Sequence, residues 1–183
     1  MRPIFAAAAV AMAGVGLLTF EASPTEAAVF SVGPPFGSTG TSACMDVSGN
    51  SLGINPDGSV SPVPVIVFAC HAGPNQQFQF AGPNPEFAET VPPGTTIYTE
   101  SGQRCLDVEG VGTTNGTPLI SFSCNGGVNQ QFIYEFGQIM VYFNTRTLKC
   151  LDAGNGTSTV GPNGTQLIIN DCNGSDNQQF QIK

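Results

Sequence analysis

The chain has 183 residues, of which only 10% are charged, and its 5 Lys and Arg stand against 13 Asp and Glu for a net charge of −8. One modest domain with this balance cannot neutralise a run of phosphates, which excludes nucleic acid and anionic membrane surfaces as natural partners. The 23 Gly and 14 Pro punctuate the chain too often for long helices, and six Cys beside one His and no Trp favour disulfides in an oxidising compartment over a metal centre.

The first predicted element is a leader. Arg2 precedes an apolar run from Ile4 to Phe20, and the small, polar stretch Ser23-Pro24-Thr25-Glu26-Ala27 follows. This pattern predicts a secretory signal peptide over residues 1–27, cut close to Ala27, and hence a secreted, extracellular protein. A membrane anchor is the competing reading, since the run is near the short limit for spanning a bilayer. No later segment reaches that length without a charge or a turn residue, so no membrane insertion is expected of residues 28–183. Their four basic and eleven acidic residues give a net charge of −7.

Beyond the leader, short strands separated by turns predict an all-β domain over residues 28–183. The predicted strands are 29–32, 44–47, 65–70 and 78–80, then 96–100, 104–108, 119–124 and 132–135, then 139–144, 149–152, 166–171 and 180–182. Four sequons, at Asn115, Asn155, Asn163 and Asn173, each begin Asn-Gly. They read equally as glycosylation acceptors and as tight turns.

Self-similarity organises these strands. Cys70, Cys124 and Cys172 each open the pattern Cys-x4-Asn-Gln-Gln-Phe, and upstream of them stand Cys44-Met-Asp46-Val, Cys105-Leu-Asp107-Val and Cys150-Leu-Asp152-Ala. The chain is three copies of one unit, at about residues 28–83, 94–136 and 137–183. Each unit is too small to bury its own apolar face. Three copies without distinct caps are expected to close around a pseudo-threefold axis rather than stack as a solenoid.

Both motifs, three times over, resemble the ricin B-type lectin family across roughly residues 28–183. The resemblance implies a β-trefoil and one disulfide inside each repeat. It selects Cys44–Cys70, Cys105–Cys124 and Cys150–Cys172 from the fifteen pairings that six Cys allow. The family's signature ends in Gln-x-Trp, whereas each copy here ends in Phe (Phe78, Phe132, Phe180). That aromatic is expected in the core, where Phe keeps burial but loses the indole N–H and some volume.

The family also implies a shallow sugar pocket in each stapled repeat. Its Asp and Asn bind hydroxyls, its Gln orients the Asp, and the residue two before the second Cys stacks on the ring. Carried over, the first repeat offers Asp46, Phe68, Asn75 and Gln76, and the second Asp107, Phe122, Asn129 and Gln130. The third offers Asp152, Asn177 and Gln178, but Asn170 replaces the ring, so a weak or silent site is expected. A carboxylate, amides and an aromatic face suit a neutral polyol. The same residues read structurally would only satisfy backbone groups in turns, and a strand offset by one residue would send Phe68 and Phe122 into the core. His71, in a Gly/Pro turn, reads as a turn residue or pocket rim.

No nucleophile elbow, zinc-protease motif or phosphate-cradling loop appears, and the threefold should keep the repeated Asp too far apart to cleave a glycosidic bond together. The expectation is a carbohydrate-binding lectin without enzymatic activity, cofactor or metal, recognising galactose-like or xylose-like units on glycans or polysaccharides. The alternative is a trefoil that binds protein, for example as a protease inhibitor, through an exposed loop. Gly49–Pro62 and Ala81–Thr95, the latter carrying Glu86 and Glu89, are the candidate loops.

Overall fold

The computed structural model describes residues 28–32, 43–50, 53, 59–81, 90–99, 104–143 and 148–182. The predicted signal peptide lies outside the described residues, as do Glu86, Glu89 and most of the loop between Gly49 and Pro62. Thirteen strands and no α-helix are found among the described residues. The first repeat contributes β1 (Ala28–Val32), β2 (Ala43–Val47), β3 (Val63–Ala69) and β4 (Gln77–Phe80). After β5 (Thr90–Thr95), the second contributes β6 (Ile97–Thr99), β7 (Arg104–Val108), β8 (Leu119–Phe122) and β9 (Phe132–Glu135). The third contributes β10 (Gln138–Val141), β11 (Lys149–Asp152), β12 (Ile168–Asp171) and β13 (Phe180–Ile182).

The twelve expected strands are all present, with ends shifted by a few residues. β5 is the addition and corrects the loop reading of Ala81–Thr95, because residues 90–95 pair antiparallel with β9. Pro92 and Pro93, which cannot donate to a β-ladder, lie within it. They are tolerated because β5 is the edge of its sheet and the register slips between Val91 and Thr95, where no ladder bond is needed from them.

In each repeat the second and third strands form a hairpin, β2–β3, β7–β8 and β11–β12. Period-two alternation sorts their faces. Met45, Val47, Val65 and Val67 point into the core, as do Leu106, Val108 and Leu119, and Leu151, Ala153, Leu167 and Ile169. Phe78, Phe132 and Phe180 are fully buried with them. The aromatic that closes each repeat motif is therefore a core residue, and a ring with no polar atom needs no hydrogen-bond partner there. The disulfides are Cys44–Cys70, Cys105–Cys124 and Cys150–Cys172, as the resemblance implied, each with its first Cys buried and its second exposed.

The third strands close the trefoil by a cyclic exchange between repeats. Pro64 pairs with Ile120, Pro118 with Ile168, and Gln166 with Ile66. Where the other repeats place proline, the third places Gln166, whose Nε2 donates to Leu119 O at 2.7 Å, Val65 O at 3.0 Å and Leu167 O at 3.2 Å. One amide thus binds a carbonyl from every repeat. Gln166→Glu keeps the shape but replaces the donor with an acceptor facing three carbonyls, and it is expected to cost about 2–3 kcal/mol. A urea midpoint unchanged in this variant would show that the axis does not depend on the clamp.

All four Asn-Gly sequons are exposed, with the glycine at positive φ: 86° at Gly116, 81° at Gly156, 89° at Gly164 and 72° at Gly174. This is the turn chemistry that such pairs favour.

Candidate binding pockets

The hairpin register builds each pocket. Cys44 pairs with Phe68 and Asp46 with Ile66, so Asp46 and Phe68 share the face opposite the core-directed Met45 and Val67. Phe68 is 39% exposed on that outer face. The second repeat repeats the register, with Cys105 opposite Phe122 and Asp107 opposite Ile120. Phe122 is half-buried. Neither ring belongs to the core.

The disulfide carries the chain around to a short 3-10 turn that brings the amides beneath the carboxyl group. In the first repeat this turn is Pro74–Gln76. Asn75 Nδ2 donates to Asp46 Oδ1 at 2.8 Å and to Val47 O at 3.3 Å, and Gln76 Nε2 donates to Asp46 Oδ2 at 2.9 Å and to Ala69 O at 3.0 Å. Gln76 Oε1 accepts the N–H groups of His71 and Ala72. With both its ends engaged and no surface exposed, Gln76 positions the carboxylate and cannot itself touch a ligand. Asn75 spends both N–H groups internally, which leaves its carbonyl oxygen to offer.

The second repeat is built alike around the turn Val128–Gln130. Asn129 Nδ2 donates to Asp107 Oδ1 at 2.8 Å, and Gln130 Nε2 donates to Asp107 Oδ2 at 2.7 Å and to Ser123 O at 2.8 Å. Burial is the main cause holding the Asp107 carboxyl above its usual range. The bonds from Gln130 and Asn129 oppose it, and the Glu109 charge adds to it.

His71 distinguishes the first pocket. Its Nδ1 accepts the Gly73 N–H at 3.0 Å, so the ring proton sits on Nε2, which lies 3.2 Å from Asp46 Oδ2. The imidazole also meets the edge of Phe68, with ring centroids 6.2 Å apart. A Cβ at position 73 would stand 2.7 Å from the ring, so Gly73 leaves the imidazole room for this position. Asn125 takes this position in the second repeat, makes the same turn bond to Gly127 N–H, and is too short to cap the carboxyl group. The sequence reads His71 as a turn residue or pocket rim, and its contact with Asp46 exists only because the disulfide folds Cys70 back onto Cys44.

The third constellation is assembled differently. Asp152 Oδ1 accepts the N–H of Gly154 at 2.8 Å, and Oδ2 accepts Gln178 Nε2 at 3.2 Å and Asn170 Nδ2 at 3.3 Å. The segment from Gly154 to Gly161 folds back on itself beside the carboxylate, held by Gly161 N–H to Ala153 O and by Thr157 Oγ1 to Gly154 O. Asp152 and Asn177 are fully buried, and neither end of the Asn177 amide makes a hydrogen bond. Asn170 replaces the ring, and in addition the carboxylate is engaged by the Gly154 N–H and by Asn170 itself. Among the described residues no group of three or more His, Cys, Asp or Glu is placed to hold a metal ion.

The family model of the ricin-type β-trefoil lectin domain matches residues 36–180. Among solved structures the chain is similar to the designed 3-fold symmetric protein ThreeFoil, at 22% identity and a TM-score of 0.62, over 85% of this chain and 96% of that one. It is similar to the Macrolepiota procera ricin B-like lectin solved in complex with lactose, at 17% identity and a TM-score of 0.54, over 88% and 96%. At these identities the likeness establishes the β-trefoil fold. "Probable lipoprotein EnvE" of Salmonella typhimurium is 37% identical over 59 residues, a match spanning 32% of this chain and 30% of that protein.

Proposed function

From the chain's membership of the ricin-type β-trefoil lectin family, we propose that it is an extracellular lectin whose first and second pockets hold neutral sugars, galactose-like or xylose-like, on glycans or polysaccharides. The observation that carries this reading is the identical scaffold of Asp46 with Asn75 and Gln76 and of Asp107 with Asn129 and Gln130, each beside a solvent-reaching Phe ring. Buried amides fix each carboxyl group, whose remaining lone pairs accept sugar hydroxyls. The carbonyl of Asn75 or Asn129 accepts another, and Phe68 or Phe122 covers the apolar face of the ring. The third pocket is silent. The leader-like sequence pattern of residues 1–27 supports secretion, and a lectin-family domain with its carboxyl groups held by amides supports binding without conversion.

A glycan array on the protein lacking residues 1–27, competed with free galactose or xylose, tests the reading. Signal displaced by one of these sugars is expected. Array binding that neither sugar displaces, or none at all, would refute it.

Acid should weaken the second pocket. A carboxyl raised in the folded state, as Asp107 is, holds its proton more tightly there than in the unfolded chain. Its contribution to stability is therefore full below the unfolded value and is lost as pH rises through the folded one. The same proton removes the acceptor a sugar needs. On acidification, the sugar affinity of an Asp46→Ala protein, which retains only the second pocket, is expected to fall before ordinary carboxylates protonate and without destabilisation from this group. Affinity and melting temperature followed across pH check this, and a flat affinity down to the usual carboxylate range contradicts it.

A further inference from the structure

The rim of the second pocket carries two exposed valines where the other repeats have none. Two 3-10 turns border it: Glu109–Val111, which follows directly on β7 and Asp107, and Val128–Gln130, which carries Asn129 and Gln130. The turns lie against each other, and Asn129 Nδ2 reaches Val108 O, the carbonyl at the root of the first turn, at 3.1 Å. Each turn presents one valine to solvent, Val111 at 51% exposure and Val128 at 37%. The first repeat carries Asn50 and Pro74 at these positions, and the third Gly156 and Asp176.

Val111 is also strained. Its φ is +57°, next to Gly110 at +62°. This left-handed region suits Gly and Asn, the residues of the sister repeats, and disfavours a β-branched side chain. A valine here is unfavourable for the backbone and for solvation alike, and strain of this kind concentrates at ligand clamps. The strained residue and the second exposed valine stand on the two turns that frame Asp107 and Asn129.

We propose that Val111 and Val128 form an apolar subsite on the rim of the second pocket, which takes a hydrophobic aglycone attached to the sugar that Asp107 and Asn129 hold. This rests on the reading of that pocket as a sugar site. The subsite makes the two open pockets unequal: the first, capped by His71, selects the sugar alone, and the second selects the sugar together with its apolar substituent.

The test uses methyl and 4-nitrophenyl β-D-galactosides, and the matching xyloside pair, titrated against an Asp46→Ala protein that melts natively. The nitrophenyl glycoside is expected to bind about four- to fifteenfold more tightly than its methyl counterpart, the effect of burying one or two methylenes' worth of apolar surface. In Val111→Asn and in Val128→Ala the ratio of affinities falls toward one, while the melting temperature of Val111→Asn rises because the left-handed strain is relieved. If Asp46→Ala unfolds, the same ratio is read from the Val111 and Val128 methyl resonances of the otherwise unaltered protein. A ratio near one in the parent, or a ratio unchanged by both substitutions, overturns the apolar subsite alone. No response to any of the four glycosides overturns the sugar reading of the second pocket and the subsite with it.

Discussion

In dithiothreitol the protein is expected to lose most or all of its stability, melting tens of degrees below its oxidised form or not folding at room temperature. The bridges close loops of 26, 19 and 22 residues. In the chain-entropy account each restrains the unfolded ensemble by about 3 kcal/mol, so the three together contribute about 10 kcal/mol. The net stability of a domain is typically about 5–15 kcal/mol, so this contribution is comparable to the whole. One Cys of each bridge is exposed, which opens all three to reductant. Each bridge also ties its pocket together, since the Asp lies two residues beyond one Cys and the Asn-Gln pair follows the other. Calorimetry with and without reductant measures the effect. A shift of only a few degrees would mean that β-sheet closure, including the Gln166 clamp, holds the trefoil without its staples.

The frame of this molecule was legible because its repeating residues have chemical demands that few alternatives meet. A Cys pair at each end of a variable loop, an Asp two residues after the first Cys, and an Asn-Gln-Gln-Phe after the second recur together only if three units share one geometry. Strand alternation then separates Met45 and Val67, which face the core, from Asp46 and Phe68, which do not. What stayed hidden depends on backbone path rather than residue type. Pro92 and Pro93 spell a loop locally, and only their place on an edge strand, at a register slip, admits β5. The different arrangement around Asp152 turns on Gly154, where a Cβ would stand 2.4 Å from Thr159 O. Ser48 and Glu109 occupy that position in the sister repeats, and no local pattern announces the difference. The His71 cap likewise requires knowing that Cys70 returns to Cys44, after which an imidazole next to the bridge reaches a carboxylate 25 residues away in sequence.

Removing the pocket carboxyl groups should separate binding from folding. Asp46→Ala strips the acceptor from Asn75, Gln76 and His71, Asp107→Ala strips it from Asn129 and Gln130, and Asp152→Ala strips it from Gly154, Asn170 and Gln178. Each substitution leaves buried or half-buried donors unpaired, so each is expected to cost about 1–3 kcal/mol of stability, the third no less than the others. Binding should divide them. A monosaccharide held by one shallow pocket is worth about 4 kcal/mol, a millimolar affinity, so losing 1–3 kcal/mol of it silences the site. Asp46→Ala and Asp107→Ala should each abolish one site and sharply weaken binding to multivalent glycans, which depends on two sites acting together. The double variant should bind neither monosaccharide nor polysaccharide. Asp152→Ala should bind as the unaltered protein does, because its carboxylate already serves the Gly154 N–H and Asn170. Glycan titrations on the four variants, each first shown to melt cooperatively, decide the matter. A double variant that still binds polysaccharide at full strength would make the two constellations purely structural. The binding surface would then have to be sought in the loops that follow β2 and β4.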